Sequence, residues 1–392
     1  MALAALILLG AASAVAVERS DDPAAADARQ EARAVESRAV ESGPLPVPGD
    51  VADVPPPPPP APEGPVPTLA PAGPVALPLP GCPPPPRPPR PGPPPPRPWR
   101  PPVLVPEAQL PEPLPPAGGT DDLGALEGKG MWLWKYRQSE GGDAAAIVDR
   151  AVAAGLRQLW VRVGDSKDGF YAADVLADLV PRAHARGLQV IGWGFPYLWD
   201  PVADAGWSAD ALAWKGPDGS TLDGFSPDIE RSSEGVALTA RRARVYLGLV
   251  RRAAGSRLVV GTVYRPTDTL WSAYPYAALA PYLDAFAAMV YWGCTEPGQA
   301  AAQAIERLGS LRPVHVIGQG YDMAPEGGRA GPPTADETTR FLDVARRGGA
   351  RGASFWVWQS MGAEQWSALA SYPWPLQEGG GPLPQEGGGP PS

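Results

Sequence analysis

The chain has 392 residues and a formal net charge of −9, from 33 Lys and Arg against 42 Asp and Glu. That balance argues against nucleic acid or an anionic membrane surface as the main partner. With two cysteines and two histidines, the sequence offers no disulfide framework, no metal-ligand spacing and no histidine-based triad, so neither a metal nor another cofactor is expected.

Residues 1–16 form the apolar run MALAALILLGAASAVA. Its small residues give an Ala-x-Ala exit at Ala12-Ser13-Ala14 or Ala14-Val15-Ala16, as in a secretory signal, although no Lys or Arg precedes it. The run is shorter than the about 20 apolar residues of a membrane-spanning helix. The expectation is a cleaved signal over 1–17, hence a secreted or envelope-associated protein. An uncleaved N-terminal anchor and a misassigned start codon are the alternatives, and no other segment reads as membrane-spanning.

An acidic, Ala-rich stretch follows at 18–42, with Ala-Val-Glu-Ser at 34–37 and again at 39–42. Proline then dominates 43–118, with runs at 55–60, 83–86 and 93–96. Such sequence cannot bury a core and prefers polyproline II, extending ~3.1 Å per residue. Residues 18–118 therefore read as a semi-rigid stalk, with a docking site for proline-recognising domains as the rival reading. A chain beginning near Gly119 is expected to fold without it. Cys82 lies in the stalk and Cys294 in the globular part. Nothing in the stalk's composition holds the two together, and closing so long a loop costs entropy, so no bridge between them is expected.

Runs of β-branched and aromatic residues then recur at 130–136, 156–163, 188–195, 224–230, 257–264, 285–292, 314–319 and 353–359. Amphipathic segments alternate with them at 143–154, 172–186, 204–214, 233–254, 274–283, 297–308, 334–347 and 363–370. Strand–helix alternation predicts a parallel sheet. Eight units in about 250 residues predict a (β/α)8 TIM barrel over 119–377. A doubly wound open sheet is the alternative, but no glycine-rich phosphate loop follows the first strand. Pro181 interrupts the second helix, and Pro227 marks a bulge or the point where the fourth strand leaves the sheet. Gln-Glu-Gly-Gly-Gly-Pro occurs at 377–382 and again at 385–390, and residues 378–392 are expected to form a flexible tail.

Barrel active sites lie at the C-terminal ends of the strands. In chain order those ends carry Trp134, Asp165, Tyr197, Tyr264 with Arg265, Tyr291 with Trp292, Gln319 with Tyr321 and Asp322, and Trp356 with Trp358. Thirteen of the fourteen tryptophans fall in the barrel region. Core packing accounts for any one of them better than for the group. Flat apolar faces beside carboxylates, amides and hydroxyls suit sugar rings.

The fourth strand reads Asp223-Gly224-Phe225-Ser226-Pro227-Asp228-Ile229-Glu230. Alternation puts Ser226, Asp228 and Glu230 on one face, with Asp228 and Glu230 ~6–7 Å apart. Neighbouring carboxylates repel, so one tends to keep its proton, as a general acid must. A solvated acidic turn before a helix is the plainer reading of the same residues.

This segment resembles the Asp-x-x-Asp-x-Asp-x-Glu signature of family 18 glycoside hydrolases, the chitinase-like barrels. Asp223, Asp228 and Glu230 match it. Met289-Val290-Tyr291 is similar to the family's Met-x-Tyr, and Trp356 to its barrel-floor tryptophan. The resemblance implies that Glu230 protonates the glycosidic oxygen, that Asp228 orients the substrate's acetamide as nucleophile, and that Tyr291 supports it. It departs at Ser226, where the family has Asp, and at Trp292, where Asp often follows the Tyr. Family 25 lysozyme-like barrels, which share an Asp-x-Glu, are second.

Together these readings predict a secreted, monomeric glycoside hydrolase cleaving an N-acetylhexosamine polymer, chitin-like or peptidoglycan. Substrate contacts are expected from Asp223, Trp134, Asp165, Tyr197, Tyr264, Arg265, Trp292, Gln319, Tyr321, Asp322, Trp356 and Trp358. A non-catalytic carbohydrate-binding barrel would keep the aromatic rim without a poised Glu230. A barrel enzyme of other chemistry would need a second carboxylate, for instance Asp322 or Asp165.

Overall fold

A computed structural model of the protein describes Cys82 and residues 104–374. The signal segment at 1–17, the expected stalk as far as 103 apart from Cys82, and the tail at 378–392 lie outside the described residues.

Among the described residues nine strands form one sheet: β1 (Gly128–Leu133), β2 (Gln158–Asp165), β3 (Gly169–Phe170), β4 (Gln189–Phe195), β5 (Gly224–Pro227), β6 (Leu258–Tyr264), β7 (Ala285–Val290), β8 (Val314–Gln319) and β9 (Gly352–Trp356). Eight pair in parallel in chain order, and β1 pairs with both β9 and β2, closing a (β/α)8 barrel rather than an open sheet. The unpredicted β3 is a two-residue antiparallel return on β2.

The helices are α1 (Ala144–Ala153), α2 (Ala173–Ala185), α3 (Pro201–Ala213), α4 (Ala240–Ala254), α5 (Asp268–Ala273), α6 (Tyr276–Leu279), α7 (Pro297–Gly309), α8 (Ala335–Arg347) and α9 (Ala363–Ser371). Side-chain caps start several of them: Asp143 on α1, Asp200 on α3, Thr239 on α4, Glu296 on α7 and Thr334 on α8. Pro181 does not interrupt α2, which runs through it. The buried face of Leu176, Leu179, Val180 and Ala183 packs against the barrel and offsets the lost hydrogen bond. The helix expected over 233–254 starts only at Ala240, because Gly235 takes a left-handed φ of 78° after a short 3-10 turn. The one expected over 274–283 is two short pieces, α6 after Pro275 and a 3-10 turn over Ala280–Tyr282 that contains Pro281.

Alternation divides the strands' side chains into two cores. Outward residues such as Val161, Val190, Phe225, Val263 and Phe355 pack beneath the helices. Inward residues fill the barrel, where Trp132 stacks on Trp160 at 4.8 Å and contacts Trp193 at 5.4 Å. Below them Ser354 Oγ accepts from Trp132 Nε1 at 2.8 Å and lies 2.9 Å from His315 Nε2. Leu123 and Leu126 join this inner core.

Residues 104–118, which composition assigns to the stalk, lie against the barrel. Val105 N donates to the Trp199 carbonyl at 3.0 Å, and Arg242 donates to the Val105 carbonyl. Leu110 is buried, Arg241 pairs with Glu112 at 3.2 Å, and Tyr282 donates to the Leu114 carbonyl at 3.0 Å. Gly119 N then reaches the Gly255 carbonyl at 3.0 Å. The proline-rich composition hides this docking, because it uses backbone carbonyls, which any sequence supplies.

The expectation for the cysteines is overturned: Cys82 and Cys294 form a disulfide with a Cα–Cα distance of 5.8 Å, within the usual span. Docking of 104–118 brings the chain back to the barrel, so the loop-closure penalty falls on a segment already anchored at one end.

Candidate active site at the barrel mouth

Regular β5 ends at Pro227, which cannot continue the ladder as a donor. The chain nevertheless stays between its neighbours for two more residues. Asp228 N donates to the Gly194 carbonyl at 2.9 Å, and Ile229 N to the Thr262 carbonyl at 3.0 Å. Asp228 is thus held on the inner face, 6% exposed, with Glu230 one inward step further out and half-buried.

Ser226 stands below Asp228. Its hydroxyl donates to the Val260 carbonyl at 2.6 Å and lies 2.8 Å from Thr262 Oγ1. The position that would hold an inner carboxylate is therefore a neutral hydroxyl pair tied to β6.

Tyr264, at the end of β6, donates its hydroxyl to Glu230 Oε2. The Arg231 guanidinium covers the Tyr264 ring at 4.6 Å. Burial, then the Glu230 carboxylate, pushes the Tyr264 hydroxyl well above its ordinary value, so it stays a donor. Tyr291, just past β7, is pushed well up by burial, then by Tyr321, Asp228 and Glu230. Asp228, Glu230 and Tyr291 thus belong to one electrostatic neighbourhood. Tyr321 meets the Tyr291 ring edge-on at 5.6 Å and donates to Glu326 Oε2 at 2.9 Å.

The floor of this mouth is aromatic. Trp356 stacks on Trp134 at 5.7 Å and contacts Trp132 at 5.9 Å and Trp193 at 5.4 Å. The Trp356–Val357 peptide is cis. Trp134, Tyr264, Tyr291 and Trp356 all pack on the inner core and remain partly exposed.

Other expected contacts are placed differently. Asp223 precedes β5 at the opposite end of the strand, where its carboxylate accepts from Val190 N at 2.6 Å and lies 2.8 Å from His184 Nε2. That hydrogen bond raises the His184 pKa. Asp223 therefore ties α2 to the sheet, far from the mouth. Trp292 is buried outside the barrel against Phe341 at 5.3 Å, because it points outward beside the inward Tyr291. Trp358 lies in a 3-10 turn beyond β9, buried edge-on against Trp366 at 4.8 Å, with Nε1 donating to Glu140 at 3.2 Å.

Asp165 is spent on structure: it pairs with Arg162 at 2.9 Å and accepts from the backbone of Lys167 and Asp168 at 2.8 and 3.0 Å. Asp322 likewise accepts from Ala324 N and Gly331 N at 2.8 and 2.9 Å. These contacts make both poor candidates for a second reacting carboxylate. Gln319 is buried and joins two mouth loops, accepting from Gly293 N and donating to the Tyr321 carbonyl. Tyr197 stacks on Trp199 at 4.3 Å with Lys167 Nζ 4.6 Å from its ring. Arg265 is half-buried, and burial lowers its pKa.

Sequence reading missed Tyr274 and Tyr276. Tyr274 donates to the Ile229 carbonyl at 2.7 Å and Tyr276 to the Tyr264 carbonyl at 3.0 Å. Pro275, between the two tyrosines, was the available signal that they sit in a broken connection rather than along one continuous helix.

No family model matches the sequence, and no curated protein matches it. The fold is similar to a chitinase from Chromobacterium violaceum, at 11% identity over 62% of this chain and 98% of that one, with a TM-score of 0.46. It is similar to a family GH18 chitinase from Cycas revoluta at the same identity, coverages and TM-score. A spore cortex-lytic enzyme from Bacillus megaterium matches at 10% identity over 64% of this chain and 74% of that one, with a TM-score of 0.42.

Proposed function

We propose that this protein is a secreted or envelope-associated glycoside hydrolase that cleaves an N-acetylhexosamine-containing polysaccharide, chitin-like or peptidoglycan. The observation that carries the reading is geometric: Asp228 is held between β4 and β6, Glu230 accepts from Tyr264 beside it, and Tyr264, Tyr291 and Trp356 pack on the same inner core. Glu230 delivers a proton to the glycosidic oxygen. The acetamide of the sugar on the Trp356 floor attacks its own anomeric carbon, oriented by Asp228 and the Tyr291 hydroxyl. Water then opens the cyclic intermediate, and Glu230 takes a proton back. The aromatic floor supplies the stacking face that such a sugar ring needs.

One observation favours a second reading, a glycan-binding barrel without turnover. Ser226 spends its hydroxyl on the Val260 carbonyl, so no inner carboxylate is there to share a proton with Asp228. Incubation of the full chain with chitin oligomers and with purified peptidoglycan, products read by mass spectrometry, separates the two. Cleavage of either supports hydrolysis. Binding without products supports the second reading.

A further inference from the structure

We infer that Tyr264 is a positioning residue for Glu230, and that Tyr274 and Tyr276 form the brace that holds it there; the inference rests on the proposed role of Glu230 as general acid. The contacts form a continuous chain. Tyr264 donates to Glu230 Oε2, and its ring is covered by the Arg231 guanidinium at 4.6 Å. Tyr276 donates to the Tyr264 carbonyl at 3.0 Å, fixing the strand end that presents the phenol. Tyr274 donates to the Ile229 carbonyl at 2.7 Å, fixing the peptide that leads into Glu230. Tyr274 packs on Tyr276 at 4.6 Å and on Tyr264 at 6.0 Å. Trp271 stacks on the far side of Tyr276 at 5.5 Å.

Without this brace Glu230 would sit on irregular backbone, one residue beyond the last hydrogen bond to β6. A general acid needs a fixed direction as well as a proton, since small misplacements cost rate steeply. A donated hydrogen bond also stabilises the ionised carboxyl, which favours release of the proton to the leaving group. The Tyr264 hydroxyl therefore sets two properties of Glu230, its direction and the pH at which it ionises.

The test is a carboxyl titration of the full chain, labelled with 13C at the glutamate side-chain carboxyls. The Glu230 signal is assigned by its loss in Glu230→Gln. Tyr264→Phe removes only the hydroxyl and is expected to raise the Glu230 midpoint by about one pH unit. Tyr276→Phe keeps that hydroxyl but loosens its strand, and is expected to move the midpoint the same way by less. It decides the matter should Tyr264→Phe fail to fold. On any glycan that the wild type cleaves, Tyr264→Phe should lower kcat about tenfold to a hundredfold at unchanged KM. The basic limb of its pH–rate profile should move up with the midpoint. A Glu230 midpoint unmoved in both variants overturns the inference. A wild type that cleaves nothing contradicts the proposed function instead, and the titration still decides this one.

Discussion

At the bottom of the barrel, charged and polar side chains are directed at the fold itself. Lys129 is buried with Nζ donating to the carbonyls of Ala154, Leu369 and Tyr372. Arg251 meets Asp284 at 2.7 Å, with side-chain exposures of 3% and 6%, and the same carboxylate accepts from Thr120 N and Val259 N. At the mouth, Asp228, Glu230, Tyr264, Tyr291 and Tyr321 act on one another above a tryptophan floor. The number of ionisable groups does not separate the two ends. What separates them is the partner: backbone groups and a closed Arg–Asp pair below, a cluster of carboxylates and phenols above. Removing a group below should cost stability and leave sugar binding alone, whereas removing one above should cost turnover.

The largest expected effect is at the mouth. Glu230→Gln is nearly isosteric but delivers no proton, so turnover should fall by at least about 10²–10⁴-fold while glycan binding persists. Turnover compared with calorimetric binding checks this. At the bottom, Asp284→Ala strands the buried Arg251 guanidinium and should cost about 3–5 kcal/mol in denaturant unfolding, with unchanged glycan affinity. A chain beginning at Gly119 loses the buried Leu110 and the hydrogen bonds of the 104–118 strap to Arg242 and Tyr282. Its cooperative unfolding should be weakened by about 2–3 kcal/mol relative to a chain that keeps residues 104–118. Equal stability would show the strap to be passive.

The last effect is absent at neutral pH and develops only towards acid. Burial holds His315 neutral, lowering its pKa to about 3. Its folded value lies below its unfolded one, so the unfolded chain binds the extra proton between the two. Stability from this group is complete above about pH 6.5 and falls by about 1.4 kcal/mol per pH unit towards 3. Asp204 works in the opposite sense, because burial raises it to about 6. It adds stability as pH falls through that value towards its unfolded one. His315→Gln should therefore flatten the acid side of the stability–pH curve relative to the wild type, leaving the Asp204 slope visible. An unchanged slope would contradict the assignment.

Much of the barrel was legible because its strands are runs that only a doubly covered parallel sheet accommodates. The inward set Ser226, Asp228 and Glu230 followed from alternation alone. Alternation also explains Trp292, which must face away from Tyr291, and it fails for Trp358, where the strand has given way to a 3-10 turn. Asp223 shares the sequence motif with Glu230 but sits at the other end of the strand, a separation that the motif does not express. The strap at 104–118 and the Cys82–Cys294 pairing were illegible for a different reason. Both depend on where an unpatterned chain happens to be received, by carbonyls, arginines and one loop cysteine distant in sequence.

The central claim is that the mouth cleaves glycans by recruiting the substrate's own acetamide beside Glu230. The most direct test offers the full chain chitin oligomers and their N-deacetylated counterparts, with products resolved by mass spectrometry. The account predicts cleavage only where the sugar on the Trp356 floor retains its acetyl group. Equal cleavage of acetylated and deacetylated oligomers would contradict it.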